Sequence, residues 1–424
     1  METRLEQPEM LGGFEAGPPG RVRVWVGLCL GFWLLLGAAD WGARFAVFRW
    51  QNQWLSFRKP VAPAATAAAA RSWIVPAQTG AGLTQMLPVS RMAARYAEFH
   101  PARVEYRDAR GYGNAPLPEG HRYSVVMAGD SFMLALGTQN VAQALGEVGG
   151  IDVYNHAMQG AGPFLELSTF IRSNPFDPLP RVVVWNLTAR ELGAPLFLRQ
   201  PVDAWFAGKD VWASYKEKIV RSRIRWDLLV PAALSKAWPN TSMVAYSGRR
   251  LWAQIKLAVL REWPRDVLGA EDPPFGPMLF YRENLRMLPR LAPEENAPGI
   301  VHVVTKIAQR FRERGQVLVV LLVPEKEQIH LRALSPADQE ALACGPRLFE
   351  EIAAGLESSG TPVVNLMPVF QEATAQGRLL YWRDDTHWND AGIRLAAEEL
   401  WQVVKPLLEG NQESTSNIQS FNIQ

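Results

Sequence analysis

The sequence predicts an α/β fold in which a parallel sheet carries helices on both of its faces. Three observations predict it. Five short runs are continuously apolar and β-branched, as strands buried on two sides are. Helical patterns alternate with those runs. Polar stretches follow several of the runs, where loops at the carboxyl ends of such strands hold reactive groups.

Before that body stands an uninterrupted apolar stretch, VWVGLCLGFWLLLGAA (24–39), bounded by Arg21 and Arg23 on one side and Asp40 on the other. It is slightly shorter than the roughly 20 residues that span a bilayer. Trp25, Trp33 and Trp41 suit interfacial ends, and flanking Arg can snorkel. The expectation is an uncleaved transmembrane signal-anchor over 22–39 after a tail over 1–21. A cleavable signal peptide ending near GAAD is the competing reading. Lys and Arg number three before the run (Arg4, Arg21, Arg23) and four after it (Arg44, Arg49, Arg58, Lys59). The positive-inside rule therefore does not choose an orientation. Residues 40–95 read as a juxtamembrane linker, with VAPAATAAAA (61–70) as a low-complexity spacer.

The body is expected over 96–406. Its strand-like runs are 123–128, 151–154, 181–187, 316–323 and 362–366. Helical patterns occupy 132–145, 164–171, 300–314, 336–356 and 389–407. The alternation breaks over about 192–299, a stretch too long for an ordinary connection. It contains ASYKEKIVRSRIRWDLLV and RRLWAQIKLAVLREW and is expected to be an inserted helical subdomain, a lid or a docking surface. Residues 407–424 are polar and aperiodic, and are expected to be a disordered tail.

Composition excludes several classes. Net charge is only +2 with both signs mixed, and no basic stripe marks a nucleic-acid surface. The six histidines are scattered, with no metal-ligand spacing, so no metal is expected. The two cysteines, Cys29 and Cys344, lie in different segments and say nothing of compartment. No Gly-rich phosphate loop implies a soluble cofactor, and none is expected. Of the sixteen tryptophans, Trp185, Trp205, Trp212, Trp226, Trp238, Trp252 and Trp263 cluster within 185–263. Core packing or a membrane interface is the commoner use, and stacking on sugar rings the rarer one.

Two motifs carry chemistry. In VVMAGDSFMLALG (125–137) a strand runs into Gly129-Asp130-Ser131 and a helix follows. Gly129 permits a tight turn. Ser131 then stands at a helix start, where a serine is often only an N-cap. In YWRDDTHWNDAG (381–392) two carboxylates and an imidazole share one turn before the last helix. A serine hydroxyl becomes a nucleophile when a base takes its proton and a carboxylate orients that base. Ser131 with His387 supplies the first two groups. Asp385 (D-x-H) or Asp384 (D-x-x-H) supplies the third.

GDSF (129–132) with DTHW (385–388), and more weakly NHAMQGAGP (155–163), VVWNLTAREL (183–192) and VPEKEQI (323–329), resembles the SGNH (GDSL-type) hydrolase superfamily. Within it the chain looks most like the alginate O-acetyltransferase AlgJ/AlgX-like group. In that group the DTHW motif precedes the serine motif; here Ser131 comes first. The resemblance implies a three-layer α/β/α, flavodoxin-like sheet. It implies Ser131 as nucleophile, His387 as general base and Asp385 as orienting carboxylate, with Asp384 as the alternative. It implies an oxyanion hole from the backbone N–H groups of Ser131 and Gly160, with Asn186 as a side-chain donor. Arg190 and Lys326 are the expected substrate-binding residues, each with a structural acid or role as the alternative. The expected partners are a polysaccharide acceptor and a membrane-bound O-acyltransferase as acetyl donor, with the body on the periplasmic or extracellular side of the inner membrane. O-acetyl transfer, ester hydrolysis and a non-catalytic polysaccharide-binding scaffold all remain open at the level of sequence.

Overall fold

The computed structural model describes residues 24, 27–39, 71–75, 78–79, 99–100, 103–108, 112–114, 121–134, 139–157, 162–173, 176–209, 252, 255–260, 262–263 and 266–409. The chain divides into two compact units, 1–58 with 222–249, and 59–221 with 250–424. In the first, residues 27–39 of the expected anchor are helical. Leu28, Leu30, Phe32, Leu34 and Leu35 on that helix are exposed. Among the described residues no helix is long and apolar enough to cross a membrane.

In the second unit the apolar runs become strands β1 (Val125–Gly129), β2 (Val153–Ala157) and β3 (Val182–Thr188). After a hairpin of β4 (Val267–Asp272) and β5 (Gly276–Tyr281) come β6 (Val317–Val323) and β7 (Val363–Asn365). The five sheet strands lie in the order β7-β6-β3-β1-β2, every pair parallel. Every residue of β1 and β3 is buried, which is why these segments read as unbroken apolar runs rather than alternating ones. The chain leaves β1 for β2 on one side and later enters β3 on the other. Loops after β1 and β3 therefore part, and the crevice between them is where open α/β sheets place ligands.

The helices are α1 (Ser131–Leu134), α2 (Val141–Gly149), α3 (Gly162–Ser173), α4 (Ala194–Leu198), α5 (Val202–Phe206) and α6 (Arg282–Met287). They continue as α7 (Pro293–Arg312), α8 (Lys326–Ile329), α9 (Pro336–Leu342), α10 (Gly345–Ser358), α11 (Leu366–Ala375) and α12 (Asp390–Glu409). α2 packs on α12, while α7 packs on α10 and α3 against β1. These helices cover the sheet, and the apolar faces meet in one continuous core.

Several expectations are corrected. The single helix over 132–145 is two. Asn140 starts a new one, its Oδ1 accepting the Gln143 N–H at 2.9 Å while Gln143 Oε1 accepts the Asn140 N–H at 2.9 Å. This reciprocal cap satisfies two otherwise unpaired donors, so a helix start there is favoured. The helix expected at 300–314 begins at Pro293, which suits a first helical position, with Glu294 and Glu295 in the first turn. α11 has no counterpart among the expected helices. The segment 192–299 is not wholly helical: β4 and β5 form a hairpin, and Phe197, Trp205 and Phe280 join the main core. The linker 40–95 contributes strands, Arg71–Val75 pairing with Arg103–Arg107 and Gln78–Thr79 with Phe99–His100. Trp185 and Trp205 are fully buried and Trp252 is exposed. Trp212, Trp226, Trp238, the segment 213–230, the spacer 61–70 and residues 410–424 lie outside the described residues.

Leu321 lies at the middle of β6, wholly buried and in register with Asn186 on β3. Leu321→Ala is expected to cost about 2–5 kcal/mol through lost transfer energy and the cavity left behind. The check is a lower urea midpoint with an unchanged slope.

Candidate active site

The end of β1 is shaped by a contact with β3. Asn186 Oδ1 accepts the Asp130 N–H at 3.2 Å, and Asn186 Nδ2 donates to Asp130 Oδ1 at 2.9 Å. The same Asp130 oxygen accepts the Phe132 N–H at 2.9 Å, closing a local turn that starts α1. The turn lies so close to Asn186 that a Cβ on residue 129 would fall 1.7 Å from Asn186 Oδ1. Glycine at 129 is thus a requirement of space. Ser131 follows, half-buried, at the carboxyl end of β1.

The second motif is a loop closed on itself. A bridge joins Tyr381 to Trp388, and the Trp382 N–H donates to His387 O at 3.1 Å. Asn389 then caps α12, its Oδ1 accepting the N–H groups of Ala391 (3.0 Å) and Gly392 (3.1 Å). Trp388 anchors the loop to the first motif: it is fully buried, and its Nε1–H donates to Phe132 O at 2.8 Å. The Phe132 ring lies 4.8 Å from the His387 imidazole, centre to centre.

Between these motifs runs an unbroken chain of hydrogen-bond contacts. Ser131 Oγ lies 2.8 Å from His387 Nε2, and His387 Nδ1 lies 2.6 Å from Asp385 Oδ1. Asp385 Oδ1 also accepts the His387 backbone N–H at 2.9 Å. An ionised carboxylate only accepts, so Nδ1 carries the proton and Nε2 presents its lone pair to the serine hydroxyl. Asp385 is 1% exposed while the His387 side chain is 14% exposed. The carboxylate is thus shielded and the imidazole reaches the crevice. Of the two expected carboxylates, Asp385 holds Nδ1; Asp384 is buried in the same loop.

The other expected site residues fare differently. Asn186 meets the residue before Ser131, its amide engaged with Asp130 through both Oδ1 and Nδ2. Gly160 lies outside the described residues. Arg190 sits at the end of β3 with its guanidinium 5.6 Å from the Phe132 ring centre. Its Nε and Nη2 bind Glu325 Oε1 and Oε2 at 2.6 and 2.5 Å, so its planar fork holds a structural acid. Lys326, expected to bind substrate, is wholly buried and donates to backbone carbonyls instead. Sequence reasoning passed over Asp130 and Glu325 as partners of Asn186 and Arg190. A local signal existed only for Asp130's turn, since an Asx before a helix start commonly bonds the backbone two residues on; its pairing with Asn186 spans 56 residues. The second pairing joins the ends of two strands and leaves no local trace. Close by, burial and then Asp130 push the Glu191 carboxyl well above its ordinary range.

The family described as "SGNH hydrolase-like domain, acetyltransferase AlgX" matches residues 39–189 and 279–422. A "Probable alginate O-acetylase AlgJ" of Pseudomonas fluorescens is 25% identical over 184 residues, 42% of this chain and 43% of that protein. The "Alginate biosynthesis protein AlgX" of Pseudomonas putida is 30% identical over 112 residues, 25% of this chain and 23% of that protein. The chain thus spans less than half the length of the curated relatives it matches. A solved structure, LAE5, an alpha/beta hydrolase enzyme from a lake metagenome, covers 67% of this chain and 95% of its own at 12% identity and a TM-score of 0.30, too loose a likeness to inform the site.

Gly129→Ala is expected to push Asn186 away from Asp130 and to destabilise the protein by about 1–3 kcal/mol, as overpacking does. A melting temperature equal to that of the wild type would show that the turn does not depend on this close approach.

Proposed function

This chain belongs to the AlgX family of SGNH hydrolase-like acetyltransferase domains, and from that premise we propose that it is a serine-triad O-acetyltransferase. It acts on an exopolysaccharide or cell-envelope glycan through an acetyl-Ser131 intermediate. The observation that carries the reading is the contact chain from Ser131 Oγ through His387 to Asp385. The names of the relatives, alginate O-acetylases among them, support acetyl as the group moved.

The steps follow from the atoms. Ser131 Oγ attacks the carbonyl carbon of a donor acetyl ester as His387 Nε2 takes the hydroxyl proton. Asp385 stabilises the imidazolium and keeps the ring oriented. Negative charge on the former carbonyl oxygen meets the backbone N–H of Ser131, with Gly160 and the remaining Asn186 N–H as further donors. Collapse expels the donor oxygen, which takes the proton from His387. A glycan hydroxyl then gives its proton to the same nitrogen as its oxygen attacks the carbonyl carbon of acetyl-Ser131. The Ser131 Oγ–acyl bond breaks, Oγ takes the proton back from His387, and the ester is left on the sugar. Water in place of that hydroxyl makes the protein an esterase, the alternative reading.

The remaining assignments belong to the same proposal. Residues 22–39 anchor the chain in the inner membrane, and the SGNH body over 96–406 faces the periplasm. A membrane-bound O-acyltransferase supplies the acetyl group. Arg190, already neutralised by Glu325, holds the site's shape and has one nitrogen, Nη1, left for the acceptor.

Release of acetate from a chromogenic acetate ester tests the reading. Ser131→Ala is expected to abolish it, and Asp385→Asn to lower kcat on the order of 10⁴-fold by favouring the wrong imidazole tautomer. Equal rates in wild type and Ser131→Ala would remove both enzyme readings. With an active wild type, acetylation of an added acceptor oligosaccharide separates transfer from hydrolysis.

A further inference from the structure

Lys326 is wholly buried at the start of α8, just past the end of β6. Its Nζ donates to four backbone carbonyls: Trp382 O at 2.6 Å, Leu279 O and Arg383 O at 2.8 Å each, and Asp385 O at 3.1 Å. Three of these belong to the loop that carries the Asp385–His387 pair. The fourth belongs to β5, whose Leu279 N–H donates to Arg383 O at 2.7 Å. The face of Phe280 lies 5.2 Å from the same nitrogen.

Carbonyl dipoles that converge on one point repel one another, and a buried carbonyl without a donor is costly. A compact ammonium is a point charge with three rotatable donors, one of them shared between two of the four carbonyls, and suits such a convergence, whereas a planar guanidinium presents its donors in a fixed fork. The carboxylates beside it in sequence have partners of their own: Glu325 is bound by Arg190, and Glu327 accepts from Tyr281 N and Asn284 Nδ2. Burial and then the Glu325 charge push the Glu327 carboxyl up from its ordinary range. The loop's own closing contacts, Tyr381 with Trp388 and Trp382 with His387, tie it only to itself. Trp388 fastens its far end to Phe132. Its near end is tied by Tyr381 Oη donating to Pro324 O at 2.5 Å and Arg383 Nε donating to Phe275 O at 3.1 Å, and the carbonyls of 382, 383 and 385 are gathered by Lys326.

We propose that Lys326 is the positioning residue of the acid–base loop: its buried ammonium holds the backbone of Trp382, Arg383 and Asp385 so that Asp385 and His387 reach Ser131. The proposal rests on the reading of Ser131, His387 and Asp385 as the reacting triad. Lys326 touches no reacting atom, so its removal slows activation of the serine without emptying the crevice.

The test uses the full chain and a fluorophosphonate probe, which reports nucleophile activation whatever the acetyl donor or acceptor. Wild type is expected to label at Ser131, and its Asp385–His387 proton to give a low-field NMR resonance. Lys326→Met is expected to keep native circular dichroism, label on the order of 100-fold more slowly as displacement of a reacting group by about 1 Å does, and lose that resonance. A folded Lys326→Met that labels at the wild-type rate with the resonance intact overturns the proposal. If Lys326→Met does not fold, Lys326→Arg decides. It keeps the charge but not the convergence, and is expected to label about tenfold more slowly; labelling at the wild-type rate overturns the proposal. A wild type that never labels at Ser131 removes the triad reading itself, and the positioning role with it.

Discussion

The functional reading depends on one contact, the 2.8 Å approach of His387 Nε2 to Ser131 Oγ. The two residues come from opposite ends of the body, and loop ordering opposes their meeting. Two different forces hold them together. The buried Trp388 docks its ring edge-on to Phe132 and bonds that residue's carbonyl, combining apolar burial with a satisfied polar group. The α12 helix then packs on α2, so the loop before α12 is fastened to the same side of the sheet as the helix after β1. The imidazole is thereby carried on a loop fastened at its far end to Phe132 and continued by α12.

The sheet supplies the other half of the geometry. With β1 and β3 adjacent at the centre, the loops after them diverge and open the crevice. Asn186 on β3 reaches across to shape the turn after β1. The nucleophile's backbone is therefore set by a neighbouring strand, at the point where only glycine fits. Arg190, two residues past β3, binds Glu325 just past β6. One strand pair after another thus contributes a polar link along the carboxyl edge. Buried ionic groups of this kind are costly to isolate and so are found paired.

Much of this was legible in the chain itself. β1, β3 and β6 were readable because strands buried on both faces show no alternation. GDSF and DTHW were readable because a serine that alone is often only an N-cap is joined by a histidine and a carboxylate in one turn before the last helix, the combination that nucleophile activation needs. Less was legible where the signal is not local. The β4–β5 hairpin lay inside a segment read as helical, since its burial comes from packing against the main core rather than from a strong alternation of its own. The cap at Asn140 was overlooked, and with it the break between α1 and α2.

Sequence alone determined the residue types available for chemistry and where along the chain the buried strands fall, because both depend on side-chain chemistry and on periodicity along one segment. Which carboxylate meets the imidazole, what Asn186 holds, and why Lys326 faces backbone rather than substrate were decided only in three dimensions. Each of those outcomes is a competition among partners brought together from distant segments, and distance in space is not written in the spacing of residues along a chain.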